Sequence, residues 1–263
     1  MTQSFGQSAT ENYIKVYRAI LPLAGDLTAI NDKAKVAESV TYMDGLGRPL
    51  QSMLRQNSPQ GYDVVSFSVY DGMGRKSKEY LPYVASSTDG SSKSTLTTDQ
   101  AAFYRMQFGL TGEPFAFSNQ YFEDSELTRL LKLSAPGSSW QPAVEDRYSL
   151  LDHTIKKRSE YNKGNEVYSF SFNTTSGVVV ADPGMYYAAH SLIANKTYDE
   201  NNNLVIEFAD KEGRVVCKKV QSSKADEPLA FASTYYIYDE SGSLVMVLPP
   251  EAVEKLKTAL NLN

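Results

Sequence analysis

The chain of 263 residues contains one cysteine, two histidines and one tryptophan. A single cysteine excludes an internal disulfide framework but leaves the compartment open, since many exported bacterial proteins manage without disulfides. Cys217 lies at an alternating position in "RVVCKKV" and reads as a small buried hydrophobe, because no histidine is near it in sequence. No run approaches the roughly 18 apolar residues that a membrane helix requires, so membrane insertion is not expected. Positive charge is also in deficit. A net charge of -5 and a pI near 5.2 give no broad basic field for nucleic acid, and Lys156-Lys157-Arg158 reads as the solvated face of a strand. His153, in "LLDHTIKK", and His190, in "YYAAHSLI", stand in unrelated contexts. H-E-x-x-H, G-x-S-x-G and the phosphate-binding G-x-x-x-x-G-K-[ST] are all absent. Neither a catalytic residue nor a cofactor or metal is expected. The opening "MTQSFGQSATENY" lacks the basic and apolar regions of a signal peptide, which suits a cytoplasmic protein or a mature or trimmed start.

Aromatic residues are plentiful, with 18 tyrosines and 11 phenylalanines, and they favour the half-buried surface of a sheet. Period-two alternation recurs, with Val65, Phe67 and Val69 separated by serines, and Tyr168, Phe170 and Phe172 likewise. These runs predict antiparallel strands with one wetter face. Helix is the minority element. Thr97 and Gln100 have capping-box spacing and Gly109 follows as a stop, which predicts a helix over 98–108. Pro249 and Pro250 precede a second helix over 250–260, whose Val253, Leu256 and Leu260 share a face and whose Glu251 can pair with Lys255. "DSELTRLLKL", residues 124–133, fits helix or strand. Residues 1–12 read as a disordered or polar segment and 13–263 as one β-rich domain. A subdomain break would fall in the polar stretch 85–99 or in "APGSSWQPA", 135–143.

One pattern recurs along the chain. Asp44-Gly45-Leu46-Gly47-Arg48, Asp71-Gly72-Met73-Gly74-Arg75 and Asp210-Lys211-Glu212-Gly213-Arg214 all fit D-x-x-G-R. Looser copies start at Asp199, with Asn202 three residues on, and at Asp239, with Gly242 three residues on; tyrosine precedes each aspartate. In a hairpin loop built on a type I turn, the first aspartate accepts from backbone N–H groups, and the residue three later takes positive φ, which glycine or asparagine tolerates. Gly47, Gly74 and Gly213 are therefore expected at positive φ. Each arginine is expected to bond turn carbonyls or a neighbouring carboxylate rather than a ligand. Nearly the same interval separates Asp44 from Asp71 and Asp210 from Asp239, which predicts regular ends around a middle of degenerate or inserted hairpins.

These turns resemble those of the YD-repeat, or rearrangement-hotspot (Rhs), family. The order "ESVTYMDGLGRPLQS", "YDGMGRKSKEYLPY", "SAPGSSW", "EFADKEGRVVCKK" and "YYIYDESGSLVMVLPPE" is similar to the N-terminal region that precedes the core repeats in Rhs-type proteins of Bacteroidetes. The resemblance implies a non-enzymatic β scaffold within a larger exported or surface-associated protein, partnered by the remaining YD repeats and the C-terminal part of its parent. It also implies that another hairpin follows "YYIYDESGSLVMVLPP", so that the edge left there gives weak self-association unless the terminal helix covers it. Carbohydrate binding on tyrosine platforms is the competing reading, although packing beside the turns already accounts for Tyr42, Tyr70, Tyr198 and Tyr238. Asp199, Asn201 and Asn203 match the first ligand positions of a calcium loop. Leu204 and Asp210 then break the match, and a hairpin turn is preferred. "NTT" and "NKT" match the glycosylation tripeptide, which is common by chance.

Overall fold

The structure is a computed structural model that describes residues 11–142, 152–173, 176–223 and 228–259. The β strands are β1 (Asn12–Ala19), β2 (Val36–Met43), β3 (Pro49–Leu54), β4 (Val64–Tyr70), β5 (Lys76–Tyr80), β6 (Tyr83–Val84), β7 (Phe117–Phe122) and β8 (Leu130–Leu133). They continue as β9 (Ile155–Tyr161), β10 (Tyr168–Asn173), β11 (Val178–Tyr186), β12 (Ile193–Tyr198), β13 (Leu204–Ala209), β14 (Val215–Gln221), β15 (Phe231–Tyr238) and β16 (Leu244–Leu248). Two α helices, α1 (Leu96–Phe108) and α2 (Pro250–Ala259), and two short 3-10 turns, Leu27–Ala29 and Ser138–Trp140, complete the elements of the described residues. The protein is mainly β, with 14 strands in one antiparallel sheet and β10 paired with β11 apart from it. The stretch 124–133 resolves into turns followed by strand β8. The polar opening of residues 1–10, Leu260, the threonines of "NTT" and both leucines of "LLDHTIKK", Leu150 and Leu151, lie outside the described residues.

Two compact units divide the chain, Met1–Thr128 with Leu133–Glu145 and Arg129–Lys132 with Asp146–Asn263. In the first, β1 to β5 pair in sequence order, and alternation puts Val40, Tyr42, Met53, Val65 and Phe67 on one face. That face packs against Tyr83, Ala85 and the helical residues Leu96, Phe103 and Tyr104. On the opposite side Thr41 and Ser52 hydrogen-bond across the strands at 3.0 Å. The polar stretch 85–99 is tied to this sheet. Tyr42 donates to the Gly90 carbonyl at 2.8 Å, Gly90 N–H to buried Asp63 at 2.9 Å, and Lys93 N–H to Gln51 at 2.9 Å. Glu38 also sits on the core face, 4% exposed, with Arg55 and Lys33 each 2.8 Å away. Burial would push its carboxyl up, but those two hydrogen bonds and charges win and hold it near a pKa of about 2.

Helix α1 starts earlier than the capping-box reading implies. Its N-cap is Thr95, whose hydroxyl bonds Asp99 at 2.7 Å, and Gln100 is buried, donating to the Ala116 carbonyl at 2.7 Å. The demand of a buried strand-end carbonyl thus outweighs the local capping preference. Gly109 ends the helix in the left-handed region at φ 62°.

In the second unit, β9, β12, β13, β14, β15 and β16 pair antiparallel in that order. Their core face carries Ala194, Ile206, Phe208, Cys217, Tyr235 and Ile237, covered by Phe170 and Phe172 of β10 and by Val253 and Leu256 of α2. Pro250 opens α2, and Glu251 pairs with Lys255 at 2.8 Å. Cys217 is fully buried, and burial pushes its thiol up to about 11, so it packs as a hydrophobe.

Candidate functional site

The five Asp-led loops share one hydrogen-bond scheme. Asp44 N–H donates to the Arg48 carbonyl and Gly47 N–H to the Asp44 carbonyl, both at 3.0 Å. Asp44 Oδ1 accepts from the N–H groups of Leu46 and Arg48, and Oδ2 from Arg48 Nε at 2.6 Å. The loops at Asp71 and Asp210 repeat every one of these bonds, with Arg75 and Arg214 as side-chain donors at 2.7 Å. In the loop at Asp199 the amide of Asn203 takes the arginine's place at 2.8 Å, and at Asp239 the Ser241 hydroxyl bonds Oδ1 at 2.6 Å. Backbone N–H donors hold the Asp44 carboxyl below its ordinary range; at Asp239 the Ser241 hydroxyl leads and the backbone adds to it. The residue three after each aspartate is left-handed, with φ of 76° at Gly47, 78° at Gly74, 64° at Asn202, 81° at Gly213 and 84° at Gly242. The four glycine loops are followed by a one-residue register shift in the strand pair, whereas the β12–β13 register runs straight into the asparagine loop.

The arginines do more than close their own loops. Arg48 lies 4.7 Å from the centre of the Tyr70 ring, the residue before Asp71, and Tyr70 donates its hydroxyl to the Pro49 carbonyl at 2.9 Å. Arg214 repeats this on Tyr238 at 5.2 Å, with the Tyr238 hydroxyl on the Val215 carbonyl at 3.0 Å. A Cβ on Gly74 would collide with the Arg48 guanidinium, and one on Gly242 would come within 3.1 Å of Arg214. The tyrosine and glycine of one hairpin therefore form the seat for the arginine of the hairpin before it. Arg75 finds an equivalent seat that sequence reading missed. It stacks on Phe122 at 4.7 Å and donates to the Glu123 carbonyl at 3.1 Å, so Phe122-Glu123 stands where Tyr-Asp stands elsewhere. An aromatic followed by an acid at the end of a strand was the available signal.

The tyrosines beside the loops are engaged: Tyr42 is buried, and Tyr70 and Tyr238 lie under arginines. Asp199 spends both carboxylate oxygens on Asn201 and Asn203 of its own turn. Among the described residues no group of three His, Cys, Asp or Glu side chains is arranged to hold a metal, and no helix is long and apolar enough to cross a membrane. His153 Nδ1 lies 3.0 Å from the Glu200 carbonyl, and His190 meets Tyr161 edge to face at 6.0 Å.

Lys156 corrects the reading of Lys156-Lys157-Arg158 as a solvated face. It is 0% exposed, because alternation along β9 turns it opposite to exposed Lys157. Lys132 and Lys156 converge on buried Asp152, with Lys132 Nζ on Oδ2 at 2.6 Å and the Thr154 hydroxyl on Oδ1 at 2.5 Å. Lys156 donates to the Asp152 carbonyl and, at 2.6 Å, to Asn202 Oδ1. No sequence motif marks this cluster, whose members come from separate elements.

One open cleft in the first unit, of about 410 Å³, is lined by Tyr83, Lys93, Asp99, Phe103 and Met106. The buried Tyr83 hydroxyl has no hydrogen-bond partner among the described residues, and burial pushes its pKa up to about 12.

A family model described as a domain of unknown function, DUF6443, matches residues 23–151. No curated protein matches the chain. Among solved structures, the crystal structure of TcdB2-TccC3-TEV aligns with 87% of this chain at 13% identity and a TM-score of 0.50. The structure of the Photorhabdus luminescens Tc holotoxin pore aligns with 86% at 13% identity and a TM-score of 0.46. The chain shares the fold of part of TcdB2-TccC3 and spans 10% of the length of that longer chain.

Proposed function

We propose that this chain is a non-enzymatic structural segment of a larger exported or surface-associated Rhs-like protein, of the N-terminal kind found in Bacteroidetes. In this role it lays down the first hairpins of a β scaffold. The observation that carries the reading is the seating of Arg48 on Tyr70 and Gly74, repeated by Arg214 on Tyr238 and Gly242. Such a fastening adds hairpin to hairpin and needs no ligand pocket. The fold likeness to a small part of a much longer chain supports the same view. Its partners are then the remaining YD repeats and the C-terminal part of the parent.

The test is to express the complete reading frame and map it by cross-linking and limited proteolysis. This reading expects repeats of the same loop type downstream, and protection of residues 13–259 within one resistant body. A frame without such repeats, or ready release of this segment as an independent module, would contradict it. A second reading, binding of a small polar ligand such as a sugar, is favoured by the Tyr83 hydroxyl, which has no partner among the described residues, beside its cleft. A glycan-array hit lost in Tyr83→Phe and Phe103→Ala would replace the scaffold reading with that one.

A further inference from the structure

The contact between Lys156 and Asn202 has the makings of a reaction. Lys156 sits on β9 opposite Tyr198 of β12, and the loop after Tyr198 carries Asn202 back over the end of β9. The lysine side chain is 0% exposed and its Nζ is 2.6 Å from Asn202 Oδ1. Asp152 Oδ1 lies 3.6 Å from the same nitrogen, and Lys132 holds the other carboxylate oxygen at 2.6 Å. The amine and the carboxylate are thus buried, the carboxamide reaches them from the turn above, and holding the three together removes much of the entropic barrier to acyl transfer. We propose that Lys156 and Asn202 join spontaneously in an intramolecular isopeptide bond, with Asp152 as the proton carrier.

The step balances without any added reagent. The Lys156 ammonium gives a proton to the Asp152 carboxylate, and the freed amine attacks Cγ of Asn202. The tetrahedral centre collapses with cleavage of the Cγ–Nδ2 bond as Asp152 returns that proton to the departing nitrogen; Asp152 then takes the second proton from the former lysine nitrogen and passes it to the released ammonia, which leaves as ammonium. Burial lowers the Lys156 pKa, although Asp152 pulls the other way, so the neutral nucleophile is more accessible than on an exposed lysine. The Lys132 ammonium beside Asp152 stabilises its carboxylate form between proton transfers. Asn202 lies on an exposed turn, which gives ammonia a way out. The product would staple β9 to the β12–β13 loop, a covalent fastening at the one of the five Asp-led loops whose left-handed residue is not glycine.

The experiment is intact-mass measurement of the full natively folded chain, followed by peptide mapping. The expected result is a mass short by one ammonia and a branched peptide joining Lys156 to Asn202. Asn202→Gly keeps the left-handed turn and should restore the full mass; Lys156→Arg should do the same, and Asp152→Asn should slow or abolish the loss. A folded wild-type chain at its full sequence mass would overturn the proposal. So would an ammonia deficit that survives Lys156→Arg, because cyclisation of an asparagine onto its own backbone gives the same mass without the lysine. The branched peptide in the wild-type protein decides the matter even where a variant fails to fold.

Discussion

The loop at Asp71 and the loop at Asp199 have the same backbone hydrogen bonds and the same left-handed fourth residue, yet they are fastened to the rest of the protein by different means. Arg75 closes its own aspartate and then reaches Phe122 and the Glu123 carbonyl. Asn203 closes its own aspartate, while buried Lys156 comes from β9 to hold Asn202. The difference separates two jobs that the D-x-x-G-R pattern combines. The aspartate and the left-handed residue make the turn, and the arginine ties that turn to the next hairpin. In the loop at Asp199, where Asn203 stands in place of arginine, the anchor comes from underneath, through Lys156.

That contrast predicts unequal penalties. The largest should come from Asp152→Ala, which strips the fully buried Lys132 ammonium of its carboxylate; removal of one partner from a buried ion pair costs roughly 3–5 kcal/mol. Denaturant unfolding would check it, with Asp152→Asn recovering part of the loss. Next comes Gly74→Val, which meets both positive-φ strain and the Arg48 guanidinium and should cost about 2–3 kcal/mol. Gly213→Val meets the φ strain alone, since no atom lies near its would-be Cβ, and it should cost visibly less in the same assay.

A pH titration of stability sharpens the comparison from outside the loops. Folding lowers the Glu38 pKa from 4.5 to about 2, so its contribution is complete above the unfolded value and is lost as pH falls through the folded one. Glu38→Gln should therefore flatten the stability decline between those limits, an effect on the order of 2 kcal/mol. A wild-type decline unchanged by that substitution would remove Glu38 from the account.

The hairpins were legible because alternation and turn chemistry are local: Val65 and Phe67 announce a strand, and Asp71 with Gly74 announces how it reverses. The seat of Arg48 on Tyr70 was only half legible. Both residues belong to the repeated pattern, but their contact depends on the sideways spacing of strands. Phe122-Glu123 escaped notice because it keeps the seat without the turn signature. Lys156 was misassigned because a basic triplet looks solvated until the strand's alternation is placed against a buried aspartate four residues earlier, and Lys132 and Asn202 reach that point only through the fold. Gln100 shows the same limit, its capping spacing being overridden by a carbonyl at Ala116.

The central claim is that an arginine stabilises the protein chiefly by joining its hairpin to the next. A double-mutant cycle on Arg75→Ala and Phe122→Ala, read by equilibrium unfolding, tests it most directly. The account predicts a coupling energy of about 1 kcal/mol, because a partly shielded guanidinium over an aromatic face is worth roughly that much. Strict additivity of the two substitutions, with Arg75→Ala costing no more than loss of its bond to Asp71, would contradict it.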